Sequence, residues 1–260
     1  MSLRAALVPV LQGRGRTDAE ALSATLLHGE PLYVHAARAL AALPGARVLV
    51  TTTPAQAAAV RTRLGRSGIP WARVVETAPG VGATLVRALA ELPAVSGRAA
   101  EHEVGVVLVH DPRCPLVPAS CLHEVLERAE ADPTAVHAAA RPVTDTVKSV
   151  SAGSDVVAST AGTTVSTTVG STVSTTVGTT VDRDTLRALA SPLALPVRLL
   201  RRLDDGGGLA GCVEPGDVLD LALAAGVPVR WVAAPSLARR VVSVAEVGVL
   251  ECFADVRAGR

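Results

Sequence analysis

Five short apolar runs, Ala5–Val10, Arg47–Thr52, Val104–Val109, Ala135–Ala140 and Val227–Val232, are separated by segments in which Ala, Leu and Arg recur with a helical period. Continuous apolar runs belong to strands buried on both faces, and parallel neighbours need a crossover that is usually a helix. The chain is thereby restricted to an α/β architecture, a mostly parallel sheet covered by helices on both sides. Helices are expected over Pro31–Leu43, closed by Pro44-Gly45, and over Pro54–Arg66, ended by Gly68. Further helical segments are Gly82–Leu92, Ala119–Ala131, Asp184–Ala190, Gly216–Ala225 and Ala245–Ala254, and Val74–Glu76 reads as a short strand. Ligands of such sheets bind beyond the carboxyl ends of the strands. The loops after Val10, Val109 and Pro142 are therefore where chemistry is to be sought.

A length of 260 residues suits one large α/β domain or two small ones, and 49% hydrophobic residues suffice for a sizeable core. With 2% aromatic residues, that core must be filled by Ala, Val and Leu. A net charge of +1 supplies no field to draw the protein to nucleic acid or an anionic membrane. Neither partner is expected, and any phosphate recognition must be local. No stretch approaches the ~20 apolar residues of a membrane span, and the first residues lack a signal-like apolar region. A cytoplasmic protein is expected. Cys114, Cys121, Cys212 and Cys252 show no zinc-ligand spacing and read as scattered thiols.

Between 163 and 181 runs TTVSTTVGSTVSTTVGTTV, with valine at 165, 169, 173, 177 and 181. A period of four is twice the strand period, so the five valines are expected on one face of an extended arm. Thr, Val, Ser and Gly are poor helix formers, and a four-residue slip restores the same pattern. The expected organisation is a single domain over 1–260 carrying a Thr/Val-rich β-arm insertion at 149–181.

Four motifs fall on the loops singled out. Gly13-Arg14-Gly15-Arg16 follows the first strand; glycines admit close backbone approach to phosphate, and arginines add bidentate donors. It is neither a P-loop nor a GxGxxG. Val107–Val109 leads into His110-Asp111, an acid at the carboxyl edge able to hold Mg²⁺ or a ribose hydroxyl, or else a turn residue. Pro142-Val143-Thr144-Asp145-Thr146-Val147-Lys148 offers hydroxyls and the chain's single lysine as a small-phosphate cradle. In Thr180-Val181-Asp182-Arg183 the arginine suits a phosphate, or the aspartate a helix cap.

In this order and spacing the motifs resemble the 2-C-methyl-D-erythritol 4-phosphate cytidylyltransferases. VLVHDPRCP, PVTDTVKSV and TVDRDTLRALASPLALPVRLL carry most of the likeness; GRGR, HGEPLYVHAARAL and GDVLDLALAAGVPVRWV add to it. The resemblance implies a three-layer, Rossmann-like nucleotidyltransferase fold with a protruding β-arm, and a homodimer in which the arm reaches the partner. It implies CTP and a polyol phosphate as substrates, pyrophosphate as product, and Mg²⁺ as cofactor. Gly13, Arg14, Gly15 and Arg16 would wrap the triphosphate with Thr84, and Arg16 and Asp111 would be catalytic, Asp111 at the metal and ribose. Thr146, Lys148, Arg183, Ser191 and Asp217 would hold the erythritol phosphate.

The departures fall on the triphosphate side. Leu22-Ser23-Ala24 stands where the family has Pro-Lys-Gln, and Ala78–Thr84 lacks the arginine of the family's nucleotide segment. HDAARP becomes HDPRCP, moving the arginine to Arg113 and putting Cys114 in its slot, and a late lysine falls near Arg240. Since Lys148 is the single lysine, only arginines could replace the lost cations, each worth ~10²–10³ in rate. A catalytically inactive binding or regulatory paralogue, and a nucleotidyltransferase for another polyol or sugar phosphate, stay open beside the active cytidylyltransferase.

Overall fold

A computed structural model describes residues 3–10, 22–91, 105–152, 164–165 and 175–258. The chain divides into two compact units, one of Met1–Arg141 with Leu189–Arg260, the other of Pro142–Ala188.

The larger unit is built on a seven-stranded sheet. Its strands are β1 (Leu3–Pro9), β4 (Ala46–Thr52), β5 (Arg73–Glu76), β6 (Gly105–Val109), β7 (Val136–Pro142), β11 (Arg187–Pro196) and β12 (Val229–Ala233). Across the sheet the order is β12-β7-β11-β6-β1-β4-β5. The pairs β1·β4, β1·β6, β4·β5 and β7·β12 are parallel, and β11 lies antiparallel to β6. The hairpin β2 (Leu26–Leu27) and β3 (Glu30–Pro31) leads into the helix Leu32–Ala41.

Period two along the strands sorts the core into two layers. Ala6 and Val8 of β1, with Val48, Val50 and Leu108, pack against α1 (Leu32–Ala41), α2 (Pro54–Arg66) and α4 (Ala119–Ala131). Ala5 and Leu7, with Leu49, Val107 and Val109, face α3 (Val81–Glu91), α5 (Val197–Asp204) and α6 (Pro215–Ala224). Leu7 is fully buried between Leu49 and Val109, which flank it in register. Each such side chain contributes about 1.5–3 kcal/mol by leaving water. The terminal helix α7 (Val244–Ala258) brings Val247 and Leu250 to a smaller cluster with Leu22, Leu27 and Leu32. The core is aliphatic, as the composition requires; Trp71 and Trp231 lie outside it, 55% and 50% exposed.

Asp184–Ala190, expected as a helix, is instead a 3-10 turn at Arg183–Thr185 followed by β11, and α5 follows with no sequence-based counterpart. The Leu/Ala content favours helix locally, but pairing with β6 buries β11 from Ala190 to Pro196 and overrides that preference.

The smaller unit is a three-stranded antiparallel sheet in the order β8-β10-β9, formed by β8 (Val147–Ala152), β9 (Thr164–Val165) and β10 (Thr175–Val181). The valines do not share one face. Val177 pairs with Val150 and Val181 with Val147, and positions 150 and 147 point oppositely. The register shift between Val177 and Thr180 inserts an extra residue, which turns the period-four pattern over. Gly178 sits there, where an added Cβ would lie 2.5 Å from Ser149 Oγ. Val150 and Val177 are solvent-exposed. The remaining valines, 169 and 173, lie outside the described residues.

Among the described residues no helix is long and apolar enough to cross a membrane.

Candidate functional site

The strand order turns at β1 and β6: β1 leads to β4 on one side, and β6 leads through α4 to β7 on the other. Crevices form at such switch points, at the carboxyl ends of the two strands. Here β1 ends beside β6, and the His110 N–H donates to the Leu7 carbonyl at 2.8 Å. Gly13, Arg14, Gly15 and Arg16 lie outside the described residues.

Asp111 is buried where β6 ends. Its Oδ1 accepts the backbone N–H of Arg113 at 2.9 Å and Arg113 Nε at 3.1 Å. Its Oδ2 accepts Arg113 Nη2 at 3.1 Å, and Arg240 Nη2 stands 2.9 Å away. Glu214, just before α6, closes the circuit: Oε2 lies 3.3 Å from Arg113 Nη2 and 3.0 Å from Arg240 Nη1. The Val241 N–H donates to the Arg113 carbonyl at 2.8 Å, which fixes the segment carrying Arg240 beside β6. Two carboxylates and two guanidiniums thus form one network at the switch point. Burial pushes the Asp111 carboxyl up, but the Arg113 and Arg240 guanidiniums outweigh it and hold the group below the usual range. Burial opposes the Arg113 charge, and Asp111 and Glu214 more than restore it.

This arrangement does not fit Mg²⁺ at Asp111. Both carboxylate oxygens already accept from guanidinium, whereas Mg²⁺ requires an octahedral oxygen shell at a carboxylate open to it. Among the described residues no group of three His, Cys, Asp or Glu side chains could hold a metal.

Ser191 sits under the same corner. Its Oγ accepts the Asp111 N–H at 2.9 Å and lies 2.6 Å from His110 Nδ1. It is buried and braces the end of β6 from β11, with no face left open to a substrate. His110 is fully buried, and among the described residues its Nε2 has no hydrogen-bond partner. Burial lowers its pKa to about 4 against the pull of Asp111. Between about pH 6.5 and 4 the folded ring therefore holds fewer protons than the unfolded one. Its contribution is complete above pH 6.5 and is lost as pH falls toward 4, by about 3 kcal/mol. Urea unfolding of the wild type should weaken across that window, and His110→Gln should flatten the slope. Equal slopes would show that the ring does not set it.

Cys114, in the place of the family's arginine, is fully buried and its thiol is pushed up by burial. Such a thiol is inert. The Thr84 hydroxyl is engaged internally: it donates to the Gly80 carbonyl at 3.1 Å and lies 2.9 Å from Thr51 Oγ1. The Val81 and Gly82 N–H groups at the start of α3 donate to the Val213 and Cys212 carbonyls at 3.0 and 2.9 Å. An anion at that helix end would find these two donors in use. Asp217 serves as a helix cap, its Oδ2 accepting the N–H groups of Val213 at 2.7 Å and Glu214 at 2.9 Å.

In the smaller unit Thr146, Lys148 and Arg183 are exposed. Lys148 Nζ donates to Thr180 Oγ1 at 2.7 Å, and Arg183 Nη1 to the Thr144 carbonyl at 2.9 Å. That bond joins the two ends of the PVTDTVK and TVDR motifs.

A separate cavity of about 700 Å³ runs along α3, lined by Ala83, Val86 and Ala90 and across from them by Ala210, Cys212 and Val213. It shares no residue with the ion network.

The model of the 2-C-methyl-D-erythritol 4-phosphate cytidylyltransferase family matches residues 10–248. The chain belongs to this family. As a cytidylyltransferase-family fold it is similar to the solved 4-diphosphocytidyl-2C-methyl-D-erythritol synthase of Anaerococcus prevotii, at 13% identity and TM-score 0.69, covering 98% of this chain and 96% of that one. The 2-C-methyl-D-erythritol 4-phosphate cytidylyltransferase of Thermus thermophilus matches at 20% identity and TM-score 0.63, covering 98% and 99%. A CMP:2-keto-3-deoxy-manno-octonic acid synthetase, solved with CTP, matches at 14% identity and TM-score 0.63, covering 98% and 99%. A search of the curated proteins found no match.

Sequence reasoning noted Arg113 and Arg240 only as displaced family positions, and it missed Glu214. A Glu before Pro215 reads as a helix start, and nothing local ties it to Arg113, 101 residues earlier.

Proposed function

We propose that this cytidylyltransferase-family chain transfers CMP from CTP to 2-C-methyl-D-erythritol 4-phosphate and releases pyrophosphate. The observation that carries the reading is the Arg113–Arg240 pair held by Asp111 at the switch point. A phosphate oxygen of the acceptor attacks the α-phosphorus; that bond forms as the bond to the β-phosphate oxygen breaks, and pyrophosphate leaves with the electron pair. Charge building on the phosphoryl oxygens needs cations already in place, and two guanidiniums fixed by one carboxylate are preorganised. In this reading Asp111 acts by holding them. Gly13, Arg14, Gly15 and Arg16 wrap the triphosphate, and Thr146, Lys148 and Arg183 hold the polyol phosphate across a homodimer.

The test supplies CTP, MgCl₂ and the erythritol phosphate and follows pyrophosphate. Release that requires the acceptor is expected, with Arg240→Gln slower by ~10²–10³. Faster release with another polyol phosphate would reassign the acceptor. Silence at high protein concentration with CTP still bound would make the chain a binding module.

A further inference from the structure

We propose that Glu214 occupies the place of a phosphate oxyanion between Arg113 and Arg240, and that a diphosphate-bearing ligand binds by displacing it. The inference rests on the reading of this corner as the triphosphate side of the site, and it adds a residue that competes with the substrate.

The two carboxylates of the network are not equivalent. Asp111 has a side chain 3% exposed and takes the backbone N–H of Arg113 together with donors from both guanidiniums. The Glu214 side chain is 45% exposed, and its bonds to Arg113 are the long ones, 3.4 Å from Nη1 to Oε1 and 3.3 Å from Nη2 to Oε2. Asp111 is thus the fixed anchor and Glu214 the exchangeable arm. Its backbone is held independently, because Asp217 accepts the Glu214 N–H. A carboxylate that swings out gives up its half of the capping box, while Asp217 keeps the N–H groups of Val213 and Glu214 and so the start of α6.

What it leaves behind is shaped for phosphate. Arg113 Nη1 and Nη2 and Arg240 Nη1 would present N–H donors on the side Glu214 vacated. Two guanidiniums against the one remaining carboxylate give a local charge of about +1, and forked donors match phosphate oxygens in pairs. Arg240 Nε is a further buried donor with no acceptor among the described residues. An internal carboxylate in this place lowers the apparent affinity for an anion by the fraction of molecules in which it has withdrawn.

Calorimetry with inorganic pyrophosphate, in EDTA, reads the effect without turnover. Glu214→Gln removes the charge and keeps the shape. Glu214→Ser removes the reach and leaves a favoured N-cap residue, so the helix start is retained. Both variants are expected to bind pyrophosphate about tenfold more tightly than the wild type, and adding Arg240→Gln to either should abolish the gain. Unchanged or weaker binding in both variants would overturn the proposal. So would a gain that survives Arg240→Gln, or no pyrophosphate binding by any variant. Failure of the transferase reading looks different: no pyrophosphate release from CTP, with the gain in the Glu214 variants intact.

Discussion

Replacing Asp111 by alanine is expected to lower folding stability by about 3 kcal/mol and to bring nucleotide turnover below detection, measured by urea denaturation and by pyrophosphate release. Asp111 is the common partner of Arg113 and Arg240, whose side chains are 8% and 23% exposed. Without it, one guanidinium stays almost wholly out of water with only the long contacts to Glu214 in compensation. Removing one partner of a buried pair leaves an uncompensated charge, the most destabilising way to break it. Arg240→Gln alone should cost less, because that side chain retains some water. In the double variant the losses should fall short of their sum, since the second change removes a charge the first left unpaired. A loss below 1 kcal/mol for Asp111→Ala, or strict additivity with Arg240→Gln, would show that the network does not hold this corner together.

Gly82→Ala should be as damaging for a steric reason. An added Cβ there would meet the Leu209 carbonyl oxygen at 1.8 Å, its carbon at 2.9 Å and the Cys212 carbonyl oxygen at 3.0 Å, all backbone atoms. No rotamer relieves such a clash; the start of α3 must lift from the turn at Gly208–Gly211. Lifting breaks the bonds from Val81 and Gly82 to Val213 and Cys212, next to Glu214. A loss of about 3 kcal/mol or more is expected, with weaker nucleotide binding alongside. Gly65→Ala, within α2 where a Cβ meets nothing within 4 Å, should instead gain about 0.5–1 kcal/mol. Equal thermal midpoints for the two variants would refute the packing argument.

The alternation of apolar runs and helical segments made the sheet legible, because burial on both faces leaves a mark in every strand. Arg47–Thr52 and Ala119–Ala131 were expected where β4 and α4 stand. The segment around Ala190 was not, since Pro192 and Pro196 argue against an inner strand while Leu and Ala favour helix. Its place between β7 and β6 makes it one. The site was legible to the same depth. Asp111 stands at a strand end, so local sequence identifies it; its second guanidinium, Arg240, comes from the segment before α7, and the Glu214 that pairs with both guanidiniums comes from the start of α6. Charge pairing between residues 101 apart, as between Arg113 and Glu214, has no periodicity to read. Asp217 and Thr84 show the converse, polar residues in suggestive places whose bonds go to their own backbone.

The placement of Trp71 and Trp231 governs how any of these variants can be followed. Each indole is about half open to solvent in the folded chain, and the core it would report on is aliphatic. Unfolding therefore carries both fluorophores from one watery setting into another, with little displacement of the emission maximum. Far-ultraviolet dichroism, which sees the helices flanking the sheet, is the signal in which the loss of this fold registers.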